Sequence, residues 1–219
     1  MPSRSRTPFA VSPVVPAPAT PLRSGLSPDS ALAAEIKQLM VAGNRDAARE
    51  RFSDLVARQQ RRAVRVAYQY LRDAHDADEA VQDAFLKVFT HITSYREDLP
   101  FEVWFTRILI NGCLDLRKAR ARRLRWVLPL DPTPAVRPEA ASPERSVEDV
   151  LVTRERVRTI VAAVDGLPDR QRTVFVLRHF GERTPAQIGA ALGLTDATVR
   201  VHLFRAVRKL RVLLERKQS

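Results

Sequence analysis

The sequence predicts an all-α protein: two small helical domains joined by a Pro-rich linker, the second containing a helix-turn-helix. Three observations predict it. Apolar residues recur at three- and four-residue steps through most of the chain, and no segment sustains the period-two alternation of a strand. Prolines are segregated, seven of the fifteen in residues 1–30 and five in 127–147, so long stretches are free of helix breakers. Near the C-terminus two short amphipathic segments meet at Gly193, where a tight turn between helices is needed.

Residues 1–30 are rich in Pro, Ser and Ala with few large apolar side chains, so burial cannot offset their ordering entropy and a disordered extension is expected. The first domain is placed at 31–126. Phe52, Leu55, Val56, Ala63, Val64, Ala67 and Leu71 form the stripe of one amphipathic helix. Asp76, with Glu79 three residues on, reads as a capping-box-like start to a second helix, which buries Ala80, Val81, Ala84, Phe85, Val88 and Phe89. Tyr95–Pro100 is a polar loop. A third helix begins near Phe101 and turns Trp104, Phe105, Ile108 and Leu109 inward. Residues 127–147 are a linker stiffened by five prolines. In the second domain, 148–219, a helix from about Val147 to Val164 stops at Gly166 and Pro168, and another covers Asp169–Phe180. Thr184 as N-cap and Pro185 at the first position open a short helix carrying Ile188 and Leu192, and Asp196 opens the last one. That helix turns Val199, Leu203, either Ala206 or Val207, and Leu210 inward.

The formal net charge is +12, and its distribution is informative. Arg117, Lys118, Arg120, Arg122, Arg123 and Arg125 contribute +6 without an intervening acid, and Asp196–Lys217 contributes a net +5. One basic run reads equally well as a solvated helix face; two, each closing a helical domain, point to a nucleic acid partner. Cys113 is the one cysteine and the four histidines are scattered, so neither a disulfide nor a zinc site is expected, and no cofactor. No apolar run is long enough for a membrane span and no secretory signal opens the chain, so a cytoplasmic protein is expected, without membrane insertion.

A recognition helix in the major groove meets base edges near its N-terminal half and phosphates beyond. Thr198, Arg200, Val201, His202, Phe204 and Arg205 suit the first task; Arg208 and Lys209, with Arg211, suit the second. Packing of Val201 and Phe204 on a neighbouring helix is the alternative reading.

Three stretches, in order, resemble the extracytoplasmic-function sigma factors, the small members of the bacterial sigma-70 family. Asp76-Ala-Asp-Glu-Ala-Val-Gln-Asp-Ala-Phe-Leu-Lys-Val-Phe89 is similar to that family's core-binding helix, Phe101-Glu-Val-Trp-Phe-Thr-Arg-Ile-Leu-Ile-Asn111 to its F-x-x-W-L-x-R-I-x-x-N stretch, and Gly166–Phe175 through Thr198–Ala206 to its −35-reading domain. The resemblance implies a non-enzymatic sigma factor that binds core RNA polymerase through its β′ and β subunits. It implies sigma region 2 over 31–126 and sigma region 4 over 148–219. Asp78, Glu79, Gln82, Asp83 and Leu86 would dock the polymerase. Tyr95, Arg96, Asn111, Asp115, Arg117, Lys118, Arg120 and Arg122 would hold the melted −10 strand, as aromatic faces, amides and bases can. An anti-sigma partner and a monomeric free state are implied likewise. Trp104 and Phe105 read as core, and Cys113 as a small packed side chain.

The chain departs from the family in two places. Where E-I-A is frequent it has Gln187-Ile-Gly189, whose glycine costs about 0.5–1 kcal/mol of helix stability relative to alanine. Where Ser-Arg is frequent in the recognition helix it has Val201-His202, so the family's −35 sequence does not transfer. A stand-alone helix-turn-helix regulator is the alternative function; it leaves the Asp76 and Asn111 helices without a task. A recombinase or nuclease would need carboxylates clustered in a cleft, and these acids lie along a helix start.

Overall fold

A computed structural model describes residues 27–126 and 159–215, and every regular element among them is helical. In order these are α1 (Pro28–Val41), α2 (Arg45–Leu71), α3 (Ala74–Thr90), a 3-10 turn (Ile92–Ser94) and α4 (Phe101–Trp126). After the expected linker, which lies outside the described residues, come helical residues 159–165 (α5), α6 (Asp169–His179), α7 (Pro185–Leu192) and α8 (Asp196–Glu215).

Helix α1 corrects the boundary of the expected disordered extension. Ser27 caps it by accepting from the Ser30 N–H, and Pro28 occupies the first turn, where a missing N–H costs nothing. Ser30 then accepts from the Phe101 N–H at 2.9 Å, fixing the start of α4. Residues 1–26 lie outside the described residues. Helix α3 begins earlier than the Asp76–Glu79 pair suggested. Asp73 is the N-cap, in extended backbone, and accepts from the Asp76 N–H at 2.9 Å. Asp76 is already helical, so it cannot cap; its carboxylate pairs with Arg120.

The first unit is organised by aromatic packing. Phe85 on α3 stacks on Phe105 of α4 with centroids 4.8 Å apart, and Phe105 stacks on Phe101 at 5.9 Å. Each such ring contributes about 1.5–3 kcal/mol by leaving water. Cys113 is fully buried, and burial pushes its thiol up to about 12, so it is an inert packed side chain.

In the second unit Thr184 and Gln187 form a reciprocal capping box at the start of α7, with Pro185 at its first turn. Gly193 ends α7 in the left-handed region at φ 68, and α8 follows with Val199, Ala206 and Leu210 buried. Ala206 rather than Val207 faces inward; Val207 is exposed. A Cβ on Gly189 would lie 2.6 Å from the Leu194 carbonyl oxygen, so the turn into α8 requires glycine there, and an alanine would be unfavourable despite its better helix propensity.

The two units pack on each other. Val66 of α2, Phe105 and Leu109 of α4 and Leu177 of α6 meet in one continuous apolar cluster, leaving a void of about 10 Å³ between them.

Candidate nucleic-acid interface

Helix α8 carries the residues expected of a major-groove reader, and its packing sets which of them are exposed. Val199, Leu203, Ala206 and Leu210 hold one face of α8 against the unit, which turns Val201, Phe204, Arg205 and Arg208 outward at i, i+3, i+4 and i+7. Val201 is 46% and Phe204 69% exposed, so neither packs on a neighbouring helix. Lys209 is exposed beside them. Two members of the expected set have local partners. Arg200 reaches its own Asp196 at 2.8 Å, and Thr198 engages the Thr195 hydroxyl at 2.8 Å in the cap of α8. His202 is half-buried, its Nδ1 enclosed without a hydrogen-bond partner.

On α4, Asn111 and Asp115 are exposed one turn apart, with Lys118 3.6 Å from Asp115. Arg122 is exposed beyond them. Arg117 pairs with Asp169 at 3.2 Å and Arg120 with Asp76 at 3.0 Å, so part of the expected strand path is occupied from within the chain. Arg96 is exposed and forked onto Asp98. Tyr95 is a correction: it is 1% exposed, donates its hydroxyl to the Leu99 carbonyl and packs on Phe101 and Trp104. The polar loop folds over it, so its ring is not open to a base.

Asp78, Glu79, Gln82, Asp83 and Leu86 all lie exposed on α3, opposite the buried Ala77, Ala80, Val81, Ala84 and Val88. No ion pair engages Asp78, Glu79 or Asp83 among the described residues, and Leu86 is 65% exposed. These acids and Leu86 therefore form an exposed face that no contact among the described residues covers.

Family models confirm the order of these elements: Sigma-70 region 2 matches residues 55–123 and Sigma-70 region 4 matches residues 158–210. The ECF RNA polymerase sigma factor SigM of Mycobacterium tuberculosis is 32% identical over 83% of this chain and 84% of its own length. The chain belongs to the ECF RNA polymerase sigma factors. SigW of Bacillus subtilis is 29% identical over 80% of this chain and 92% of its own. SigE of Mycolicibacterium smegmatis is 32% identical over 79% of this chain, which spans 65% of that relative. Among solved structures, CnrH in complex with the cytosolic domain of CnrY has a TM-score of 0.60 at 24% identity, covering 85% of this chain and 97% of that one. The sigma factor RpoE in complex with the anti-sigma factor NepR from Bartonella quintana has a TM-score of 0.51 at 20% identity, covering 70% and 90%.

As a sigma factor, the chain acts in transcription initiation, and a stand-alone regulator is not favoured. No helix among the described residues is long and apolar enough to cross a membrane. Sequence reasoning did not single out Arg107 or Arg183. Arg107 stands one turn before Asn111 on the same face of α4, a spacing legible in the sequence, and donates to the Ala190 and Ala191 carbonyls. Arg183 is buried, which lowers its guanidinium to about 10, the nearby Arg62 adding to the effect. No periodicity marks it.

Proposed function

We propose that this sigma factor recruits core RNA polymerase through α3, captures the melted −10 strand on α4 and reads the −35 duplex with α8. The polymerase performs the chemistry and the chain itself has no enzymatic role. On this reading residues 31–126 and 148–219 work as the two DNA-engaging domains and 127–147 threads between them in the holoenzyme. Asp78, Glu79, Gln82, Asp83 and Leu86 dock the β′ subunit, and the β subunit completes the contact. Asn111, Asp115, Arg117, Lys118, Arg120 and Arg122 line the strand path, and Arg200, Val201, His202, Phe204, Arg205, Arg208 and Lys209 face the −35 element. The protein works in the cytoplasm, monomeric when free. The complex of the sigma factor RpoE with the anti-sigma factor NepR supports an anti-sigma factor as a further partner.

The observation that carries the reading is the exposed, unpaired acidic face of α3 with Leu86 at its C-terminal end, on the same unit as the arginine run. A free-standing duplex reader has no use for it. Run-off transcription with purified core polymerase tests the reading: transcripts should depend on the added protein and be lost with Leu86→Asp. Absence of any promoter-dependent transcript on genomic templates, together with absence of binding to core, sinks it. Within the reader, Arg200→Ala should cost about 1–3 kcal/mol of promoter affinity in a sequence-dependent way if Arg200 meets a base. A loss uniform across promoter variants makes it a phosphate contact instead.

A further inference from the structure

At the head of α8 the polar side chains are engaged locally, and an aliphatic one stands among them. The Thr195 and Thr198 hydroxyls share a hydrogen bond at 2.8 Å, Arg200 is paired with Asp196 at 2.8 Å, and the Nδ1 of His202 is enclosed. Val201 lies between Arg200 and His202, in the second turn of the helix, with its isopropyl group exposed. Ala197, four residues before it, and Arg205, four residues after it, are exposed on the same row of the helix surface. Phe204 lies on the adjacent row, between Arg200 and Arg208. The row through Val201 therefore starts aliphatic and turns basic at Arg205.

The early turns of a docked recognition helix meet base edges, and later ones meet phosphates, which suits an aliphatic start and a basic continuation. Base edges in the major groove offer hydrogen-bond donors and acceptors and, on thymine alone, a methyl group. Val201 has neither donor nor acceptor, so the polar edge of guanine, adenine or cytosine placed against it loses water and gains no partner. Thymine instead sets its C5 methyl against the isopropyl group, and both leave water together. Branching at Cβ holds a helical valine in one χ1 rotamer. The two methyls of Val201 therefore stand at a fixed place, and little side-chain entropy is lost on contact.

We propose that Val201 selects a thymine in the −35 element through its C5 methyl group, which makes this valine a specificity-determining residue of the reader. The inference deepens the −35 role given to α8 above and rests on it. A serine at this place would offer a hydroxyl that can donate or accept, and so would tolerate several bases. Valine narrows that choice to the base with a methyl group.

Holoenzyme assembled from the full chain and core polymerase tests this. A promoter selected from a pool randomised across the −35 region is resynthesised with each −35 thymine in turn replaced by deoxyuridine, which removes the methyl and keeps the base pair. One position should lose affinity about three- to fivefold, the effect of withdrawing one methyl-sized group from an apolar contact. At that position 5-methylcytosine should bind more tightly than cytosine by a comparable factor, because the methyl stands at the same place in the groove. Val201→Ala, at an exposed helical site that alanine suits, should bring the preference for thymine over deoxyuridine there below about twofold. Val201→Ser should relax the choice of base at that position when the selection is repeated. Equal affinity for thymine and deoxyuridine at every −35 position overturns the proposal. So does a methyl effect that survives Val201→Ala; if Phe204→Ala abolishes it instead, the ring is the reader and the valine is not. If no −35 sequence is selected, or Arg205→Ala and Arg208→Ala leave promoter affinity unchanged, the −35 reading itself fails and the inference goes with it. If those substitutions weaken binding while thymine and deoxyuridine bind alike, the −35 reading stands and the role of Val201 alone falls.

Discussion

Gly189 is where helix propensity and packing oppose each other. Propensity alone favours alanine by about 0.5–1 kcal/mol. The contact at 2.6 Å is with the Leu194 carbonyl, a backbone atom that also accepts no rotation to escape, and it reverses the sign. Gly189→Ala should therefore destabilise the protein by about 1–3 kcal/mol in urea unfolding; a neutral result would show that the 193–195 turn relaxes. The sequence made Gly189 look like a defect because the atom that crowds it, the Leu194 carbonyl oxygen, is brought back onto α7 only by the turn at Gly193. Tyr95 was opaque for a related reason. An aromatic beside Arg96, Glu97 and Asp98 reads as a solvated loop residue, and only the return of the chain to Leu99 supplies the acceptor that lets its hydroxyl be buried. Val201 and Phe204 were open between two readings, and their exposure removes the one in which they pack on a neighbouring helix.

At the scale of elements, legibility followed the strength of local signals. Thr184-Pro185 and Gly193 bracket α7 because a cap, a fixed φ and a left-handed stop each act within a few residues. The start of α3 was displaced because three acids, Asp73, Asp76 and Asp78, compete for one cap, and backbone geometry chooses Asp73. Removing it tests the assignment. Asp73→Ala should cost about 1 kcal/mol, and Asp76→Ala less, by thermal or urea unfolding. The Asp76 N–H holds the Asp73 carboxyl below the usual carboxylate range. A folded-state value below the unfolded one means that the stabilisation is present above about pH 4 and lost as pH falls through the folded value. Asp73→Asn keeps an acceptor without a titrating group, so its stability should fall less than the wild type's between neutral and acid pH. Parallel acid limbs in the two proteins would remove Asp73 from the acid transition.

The whole molecule is where the sequence was least informative, since a proline-rich linker announces two units and says nothing of whether they touch. The residues that join them, Gly181, Glu182 and Arg183, carry no periodic pattern; their role depends on Gln59, Thr106 and Val66, more than 70 residues earlier in the chain. A shared apolar cluster has a thermodynamic consequence that independent domains would not show. Leu177 on α6 is buried against the first unit, and both tryptophans, Trp104 and Trp126, lie on α4 of that unit. Tryptophan fluorescence therefore reports only the first unit's unfolding. Leu177→Ala leaves a cavity in the second unit and at the seam together, at a cost of about 2–5 kcal/mol. If the units unfold cooperatively, the tryptophan-detected midpoint moves down with the global far-UV circular dichroism transition. If they melt independently, the fluorescence midpoint stays at its wild-type position while the far-UV transition splits.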